Sequence, residues 1–437
     1  MSENLYASNI PTSDIMLQAF YWDTKLDDPG KWYTHLQSKI GEISAAKINL
    51  VWMPPPSKSR VWTYVGYTPM DYYDLGEYKQ WVQSINGDTG ERTWTQHNTE
   101  KTLYGTKDEL VSLLGNFKNN GIKSIADIVI NHRAGQQYNS QGEGVWTGAE
   151  HEIASARMAW GGDNPPEITK FSGGSHFHDD GERDFGTNIA HTNPSARQQI
   201  KDWMSWLKDE IGFDGWRYDY VKGYGAGNIG EYNFHTNPYI SVGEYWDGNS
   251  QLIYNWIDGS DGFNVNRKSM AFDFPLQSHL RNVFWGDKAF QELAAWKNPD
   301  VSITSGWAGK SVTFLDNHDT IRKAYNDFPL DNKRVVQGYV FLLTHPGIPC
   351  IFWTHMFERG SDSYVYDSLK ELGNFRVSAN ITNMSNVEVL VAESDQYVAM
   401  IDGRVIVKIG DDSWSPFGIS GFWNLKLDGA GWAIWQK

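Results

Sequence analysis

From the N-terminus to about residue 375, short apolar runs rich in β-branched and aromatic residues alternate with longer amphipathic stretches, a pattern that predicts βα units around a parallel sheet. Eight runs read as strands: IMLQAFYW (15–22), INLVWMP (48–54), IKSIADIVI (122–130), GFDGWRYD (212–219), YISVGEYW (239–246), SMAFDF (269–274), SVTFLDN (311–317) and IPCIFW (348–353). Helix-period stretches such as TKDELVSLLGNFKNN, SARQQIKDWMSWLKDEI and NKRVVQGYVFLL lie between them. Eight such units predict a (β/α)8 TIM barrel, a fold whose chemistry sits at the C-terminal ends of its strands.

Two long connections interrupt the alternation: a polar one over 76–105, after the second strand, and a Gly-, His- and Asp-rich excursion over 133–190, after the third. Loops of this length inside a compact domain are functional or form small subdomains. Past residue 380 the period falls to two in VEVLVAESDQYVAMIDGRVIVKIG, and Asp402-Gly403 is a hairpin-turn signal. The expected division is a catalytic barrel over 1–132 and 191–379, a small inserted domain over 133–190, and a C-terminal antiparallel β domain over 380–437.

Composition narrows the partners. A chain of 437 residues with 40% hydrophobic content buries a sizeable core. Its net charge of -15 argues against nucleic acid and anionic membranes, which select a basic face. A neutral polar substrate and a monomer are the expectation. The single cysteine, Cys350, lies in an apolar run and reads as a core residue. No apolar stretch approaches the ~20 residues of a membrane span, and MSENLYASNIP does not read as a signal peptide. The expectation is therefore a cytosolic protein or one whose signal has been removed. The 21 Trp, 22 Tyr and 20 Phe supply flat apolar faces of the kind that stack on sugar rings, although most aromatics fill cores.

Charged residues gather at the predicted strand ends. The third strand runs into DIVINHR, the fourth ends in Arg217 and Asp219, the fifth in Glu244, and the seventh in LDNHD, which holds His318 and Asp319. Side chains alternate along a strand, so Arg217 and Asp219 share one face while Trp216 and Tyr218 share the other. A buried charge pair at a strand end is weak evidence for stability, because desolvation offsets the attraction. Three carboxylates, two Asn-His pairs and an arginine converging on one rim exceed what helix caps account for.

The segments DIVINH, GFDGWRYDYVKGYG, VGEYW and FLDNHD resemble, in order and separation, the four sequence blocks of the α-amylase superfamily of glycoside hydrolases. LTHPGIPCIF and the C-terminal hairpins are similar to plant-type and related bacterial and archaeal α-amylases. The resemblance spans nearly the whole chain and weakens over 76–105 and 134–185. It implies hydrolysis of α-1,4-glucan, with Asp219 as nucleophile, Glu244 as general acid/base and Asp319 as the third carboxylate. Arg217 on the same face favours ionised Asp219, and neighbouring aspartates are expected to raise the pKa of Glu244. His132 and His318 match histidines that bind sugar hydroxyls, Tyr67 the aromatic under the sugar ring, and Lys222 a residue on the leaving-group side.

The same resemblance implies a structural Ca²⁺ between the inserted domain and the barrel, held by Asn131, the Gly223 carbonyl, Asp179, Glu182 and Asn188. This chain has Asn188 where an aspartate is usual, and Ala190 where many bacterial relatives have another, so the site is less anionic. A metal-free loop is the alternative. A zinc site of His176, His178 and Asp179 has too generic a spacing to prefer. The implied activity is endo-hydrolysis of starch, glycogen and maltooligosaccharides, with transglycosylation or maltooligosaccharide formation on the same residues as the near alternative. A noncatalytic glucan-binding barrel is the remote one, since such proteins lose a catalytic carboxylate and this chain keeps all three. A polymeric substrate implies an extracellular location, with the cytoplasm as the alternative.

Overall fold

The computed structural model describes residues 10–24, 28–86, 93–133, 169–170, 187–189, 191–262, 267–321, 331–359, 363–410 and 413–437. Eight parallel strands close a barrel: β1 (Met16–Gln18), β2 (Leu50–Trp52), β3 (Lys123–Ile128), β4 (Gly215–Tyr218), β5 (Ser241–Gly243), β6 (Met270–Phe272), β7 (Ser311–Phe314) and β8 (Ile348–Phe352). Each lies within its expected run and is shorter. The ladder ends where the chain turns into the rim, so Asp219, Glu244 and Asp319 follow their strands.

The period of two sorts the two cores. Met16, Leu50, Trp52, Val242, Phe272, Val312 and Cys350 fill the barrel interior, and burial pushes the Cys350 thiol well up. Leu17, Val51, Ala126, Trp216 and Ile351 face outward onto the helices. The principal helices follow the strands as α1 (Trp32–Ala45), α2 (Lys107–Asn119), α3 (Pro194–Trp206), α4 (Ala226–Thr236), α5 (Ser250–Gly259), α6 (Phe274–Phe284), α7 (Asn332–Thr344) and α8 (Tyr364–Ser378). Helix α2 starts at a capping box in which the Thr106 hydroxyl accepts from Glu109 N (3.1 Å) and Glu109 Oε2 accepts from Thr106 N (2.8 Å).

The long polar 76–105 connection holds a two-stranded hairpin. Gln80–Asn86 pairs antiparallel with Thr93–Thr99 along the full register from Gln80↔Thr99 to Asn86↔Thr93. After β3, His132–Arg133, Thr187–Ile189 and Thr169–Lys170 form a small antiparallel sheet at the mouth of the second excursion.

The C-terminal chain forms a five-stranded antiparallel sheet of β9 (Val387–Glu393), β10 (Gln396–Ile401), β11 (Val405–Gly410), β12 (Asn424–Gly429) and β13 (Trp432–Gln436), in the order β9-β10-β11-β13-β12. Asp402 (φ 49°) and Gly403 (φ 66°) take the left-handed backbone that their hairpin requires. The sheet meets the barrel through Tyr397, whose hydroxyl lies 2.9 Å from His345 Nε2 and accepts from Trp296 Nε1 at 3.3 Å. No helix among the described residues is long and apolar enough to cross a membrane.

Candidate active site

Strand β4 supplies the centre. Trp216 and Tyr218 point outward and bond α4, through Trp216 Nε1 to Thr236 Oγ1 (2.8 Å) and Tyr218 Oη to Asn233 Oδ1 (3.0 Å). Arg217 therefore points into the barrel. Its Nη1 lies 2.8 Å from both Asp127 Oδ1 and Asp219 Oδ1, and its Nη2 lies 2.8 Å from Glu244 Oε1. The charge pair expected at the strand end is thus a cluster of one guanidinium and three carboxylates, all at least nine-tenths buried. The expected alternation of faces holds, and Asp127 completes the group.

Strand register explains the meeting. Arg217 stands opposite Asp127 on β3 and Val242 on β5, and Tyr218 stands opposite Gly243, so Asp219 and Glu244 occupy the next rung. Main-chain bonds carry the ladder to that rung, with Asp219 N donating to Ile128 O (3.1 Å) and Glu244 N to Tyr218 O (2.9 Å). Tyr220 then takes a left-handed conformation (φ 42°), unusual outside glycine, and its N–H donates to Glu244 Oε2 at 3.0 Å.

Three buried carboxylates against one guanidinium cannot all ionise cheaply. Burial raises Asp219 well above the ordinary carboxylate range; Arg217 opposes this, and Glu244 and Asp127 reinforce it. Burial likewise pushes Asp127 up to about 6 against the pull of Arg217. The expectation that Arg217 favours ionised Asp219 gives the right sign for that contact, but desolvation outweighs it. Asp219 and Asp127, both raised and both bound to one guanidinium nitrogen, therefore titrate together.

Aromatic rings wall the cluster. Trp52 Nε1 donates to Asp127 Oδ2 (3.0 Å), as does the Tyr67 hydroxyl (2.8 Å), and the Arg217 guanidinium lies 4.7 Å from the Trp52 ring centroid. Tyr67 stacks on His318 with centroids 5.1 Å apart and planes at 6°. Gln18 Nε2 donates to His318 Nδ1 (2.8 Å), which leaves the proton on Nε2, 3.2 Å from Asp319 Oδ2. Trp22 Nε1 donates to Asp319 Oδ1 at 3.2 Å. Asp319 keeps 22% of its side chain exposed and so faces the opening. His132 donates from Nε2 to the Tyr67 carbonyl (2.8 Å), and burial holds its pKa below the ordinary value, so it is neutral. Lys222 pairs with Asp247 (2.9 Å) beside Glu244.

Arg217, Asp219, Glu244, Asp319, His132, His318 and Tyr67 are thus brought together around one opening, with Lys222 beside them. Sequence reasoning missed Asp127, Trp52, Gln18 and Trp22 as members. Asp127 stands in the DIVINH segment, where its register opposite Arg217 was the available signal; the other three carry none beyond lying in or just after predicted strands.

Of the expected metal ligands, Asp179 and Glu182 lie outside the described residues, as do His176 and His178. Asn188 is described only by its backbone, which pairs with His132 in the small sheet. Asn131 Oδ1 is buried without a hydrogen-bond partner among the described residues, and it lies so close to Gly223 that a Cβ there would overlap it. A buried, unpartnered amide oxygen beside a main-chain turn fits one edge of a hard-cation site.

Comparison with known proteins agrees with this geometry. Residues 94–236 match the family model "Alpha amylase, catalytic domain", and residues 378–436 match "Alpha-amylase C-terminal beta-sheet domain". "Probable alpha-amylase 2" of Arabidopsis thaliana is 31% identical over 97% of this chain and 94% of its own length. "Alpha-amylase 3, chloroplastic" of the same plant is 29% identical over 97% of this chain, which spans 44% of that longer protein. In fold, the α-amylase of Geobacillus thermoleovorans solved with acarbose superposes over 100% of this chain and 99% of its own, with a TM-score of 0.67 at 15% identity. The chain belongs to the α-amylase family and is a glycoside hydrolase.

Proposed function

We propose that the protein cleaves internal α-1,4-glucosidic bonds of starch, glycogen and maltooligosaccharides with retention of anomeric configuration. One observation carries this reading: a single guanidinium joins Asp219 and Glu244, which sit at the same rung of adjacent strands. Neighbouring strands lie about 4.8 Å apart, near the ~5–5.5 Å carboxyl separation of retaining enzymes and short of the ~6.5–9.5 Å that an interposed water needs. The names of the plant relatives support the substrate class.

In this mechanism ionised Asp219 attacks the anomeric carbon while protonated Glu244 delivers its proton to the departing glycosidic oxygen. A covalent glycosyl ester on Asp219 results. Glu244, now a carboxylate, takes a proton from water; the water oxygen attacks the same carbon and Asp219 departs. Asp319, His318 and His132 bind hydroxyls of the sugar over Tyr67, and Lys222 lies on the leaving-group side. Asn131 Oδ1 and the Gly223 carbonyl would hold a structural Ca²⁺ together with Asp179, Glu182 and Asn188. Its contribution would be to tie the excursion after β3 to the barrel rim.

Asp219→Asn and Glu244→Gln each preserve size and remove one chemical role. Each should reduce starch hydrolysis by at least about 10³-fold with an unchanged circular-dichroism spectrum. Activity within tenfold of wild type in either variant would refute the assignment.

A further inference from the structure

The turn that follows β7 and carries Asp319 is held by buried groups that the proposed mechanism does not use. Asn317 Oδ1 accepts from Asp319 N and from Thr320 N, both at 2.9 Å. The Thr320 hydroxyl accepts from Asn317 N (2.9 Å), and its one proton goes to Asp316 Oδ1 at 2.7 Å in preference to Asn317 O at 3.3 Å. Asp316, Asn317 and Thr320 are all more than nine-tenths buried. The main-chain N–H of Asp319 is thus fixed by a side chain whose own turn is closed by Thr320 and Asp316.

Asp316 is oriented from its far side as well. Tyr339 of α7 accepts from Phe352 N (3.1 Å), which directs its hydroxyl proton to His355 Nδ1 at 2.9 Å. Burial pushes the His355 pKa down to about 3, so the ring is neutral and carries its proton on Nε2, which faces Asp316 Oδ2 at 3.6 Å. The opposite tautomer would set a bare nitrogen against the carboxylate. Both oxygens of Asp316 therefore face donors, the arrangement that suits an ionised carboxylate and makes its 2.7 Å bond from Thr320 a charge-assisted one. The ends of β7 and β8 and the helix α7 between them are joined through this carboxylate.

We propose that Thr320 is a positioning residue of the active site, with Asp316 as its anchor: the closed turn fixes the main chain at Asp319 and so aims that carboxylate at the sugar. His318, in the same turn, has supports of its own in Gln18 Nε2 and the stacked ring of Tyr67. Asp319 faces the opening and meets Trp22 Nε1 and His318 Nε2 at 3.2 Å each, the long end of the hydrogen-bond range, so its aim depends on the main chain beneath it. This inference rests on the proposed glucan hydrolysis, in which Asp319 binds sugar hydroxyls, and adds the residue that places it.

The test is a double-mutant cycle on soluble starch with Thr320→Val, which keeps the side chain's shape and removes its hydroxyl, and Asp319→Ala, which removes the group to be placed. In the wild-type background Thr320→Val lowers kcat about ten- to thirtyfold with less than a threefold change in KM, the cost of a misplaced group, and Thr320→Ser stays within threefold of wild type. In the Asp319→Ala background, read at high enzyme concentration, Thr320→Val costs less than a further twofold. An equal cost in both backgrounds would mean that Thr320 serves the fold and not Asp319; a Thr320→Val kcat within twofold of wild type, or a folded Thr320→Ser as slow as Thr320→Val, would equally overturn the proposal. If Thr320→Val does not fold, Asp316→Asn runs the same cycle, with a loss of about three- to fivefold that vanishes in Asp319→Ala. A wild type inactive on every α-glucan would instead overturn the proposed function. Hydrogen exchange over residues 315–321 would then judge the turn alone, with faster exchange in Thr320→Val expected and unchanged exchange contradicting it.

Discussion

Replacing Arg217 by Lys keeps a positive charge but removes the fork that reaches Asp127, Asp219 and Glu244 at once. Arg217→Lys should lower kcat on soluble starch by about 10²-fold, the cost typical of small misplacements of catalytic groups, with a smaller change in KM. Steady-state kinetics reads this, and a kcat within threefold of wild type would contradict it. The pH profile follows from the same cluster. In the proposed mechanism Asp219 works ionised, and burial raises its pKa, so activity should be lost as pH falls through that raised value rather than through the range of an exposed aspartate. Asp127 is one of the neighbours raising Asp219. Asp127→Asn removes that charge and leaves Arg217 less neutralised, and both effects lower the Asp219 pKa. The acidic limb of kcat/KM should therefore move to lower pH in Asp127→Asn; a limb that stays or moves upward contradicts the assignment.

Elements differed in how far their sequence revealed them. The barrel strands were legible because both their faces are buried, which writes them as apolar runs between amphipathic helices. Arg217 and Asp219 were legible because alternation alone puts them on one face. Gln18 and Trp52 were not, since only barrel closure, with β1 between β8 and β2 and with β2 beside β3, brings them to the site, and pairing across strands is not written in either strand. The Gln80–Thr99 hairpin escaped because its alternation is polar on polar. Val82 and Gln83 are buried on opposite faces at its root, so no clean apolar face marks it. Its root is anchored by the buried Lys58, whose Nζ donates to the carbonyls of Tyr78 (3.2 Å), Thr99 (3.3 Å), Glu100 (2.6 Å) and Lys101 (3.1 Å), with Asp74 Oδ2 at 3.3 Å. This anchor makes a sharp prediction. Lys58→Met keeps the side chain's bulk and leaves Asp74 and the four carbonyls without their cation. Breaking a buried ion pair by removing one partner costs about 3–5 kcal/mol, so urea denaturation should register a loss of that size. A loss below 1 kcal/mol would mean that the hairpin root is held by other contacts.

For the whole molecule, barrel, excursion and C-terminal sheet meet in ways that stability measurements can separate. Arg376 of α8 is buried and donates to the carbonyls of Leu343 (3.0 Å), His345 (3.1 Å) and Gly347 (2.9 Å), tying the last barrel helix to the turn before β8, next to the Tyr397 contact with the sheet. At the opposite end, the proposed Ca²⁺ would join excursion and barrel through Asn131 and Gly223. A ligand bound only by the native state stabilises it by mass action, about 2.7 kcal/mol at a hundred times its Kd. The melting temperature should fall in EDTA and recover in millimolar Ca²⁺; identical melting in both, with no metal found in the purified protein, would remove the site. The central claim, a covalent intermediate on Asp219 with Glu244 as acid and then base, concerns the product of the intact enzyme and is tested there. Proton NMR of a maltooligosaccharide digest in its first minutes, before mutarotation, should reveal the α-anomer as the new reducing end. An initial β-anomer would contradict the retaining mechanism and the role given to Asp219.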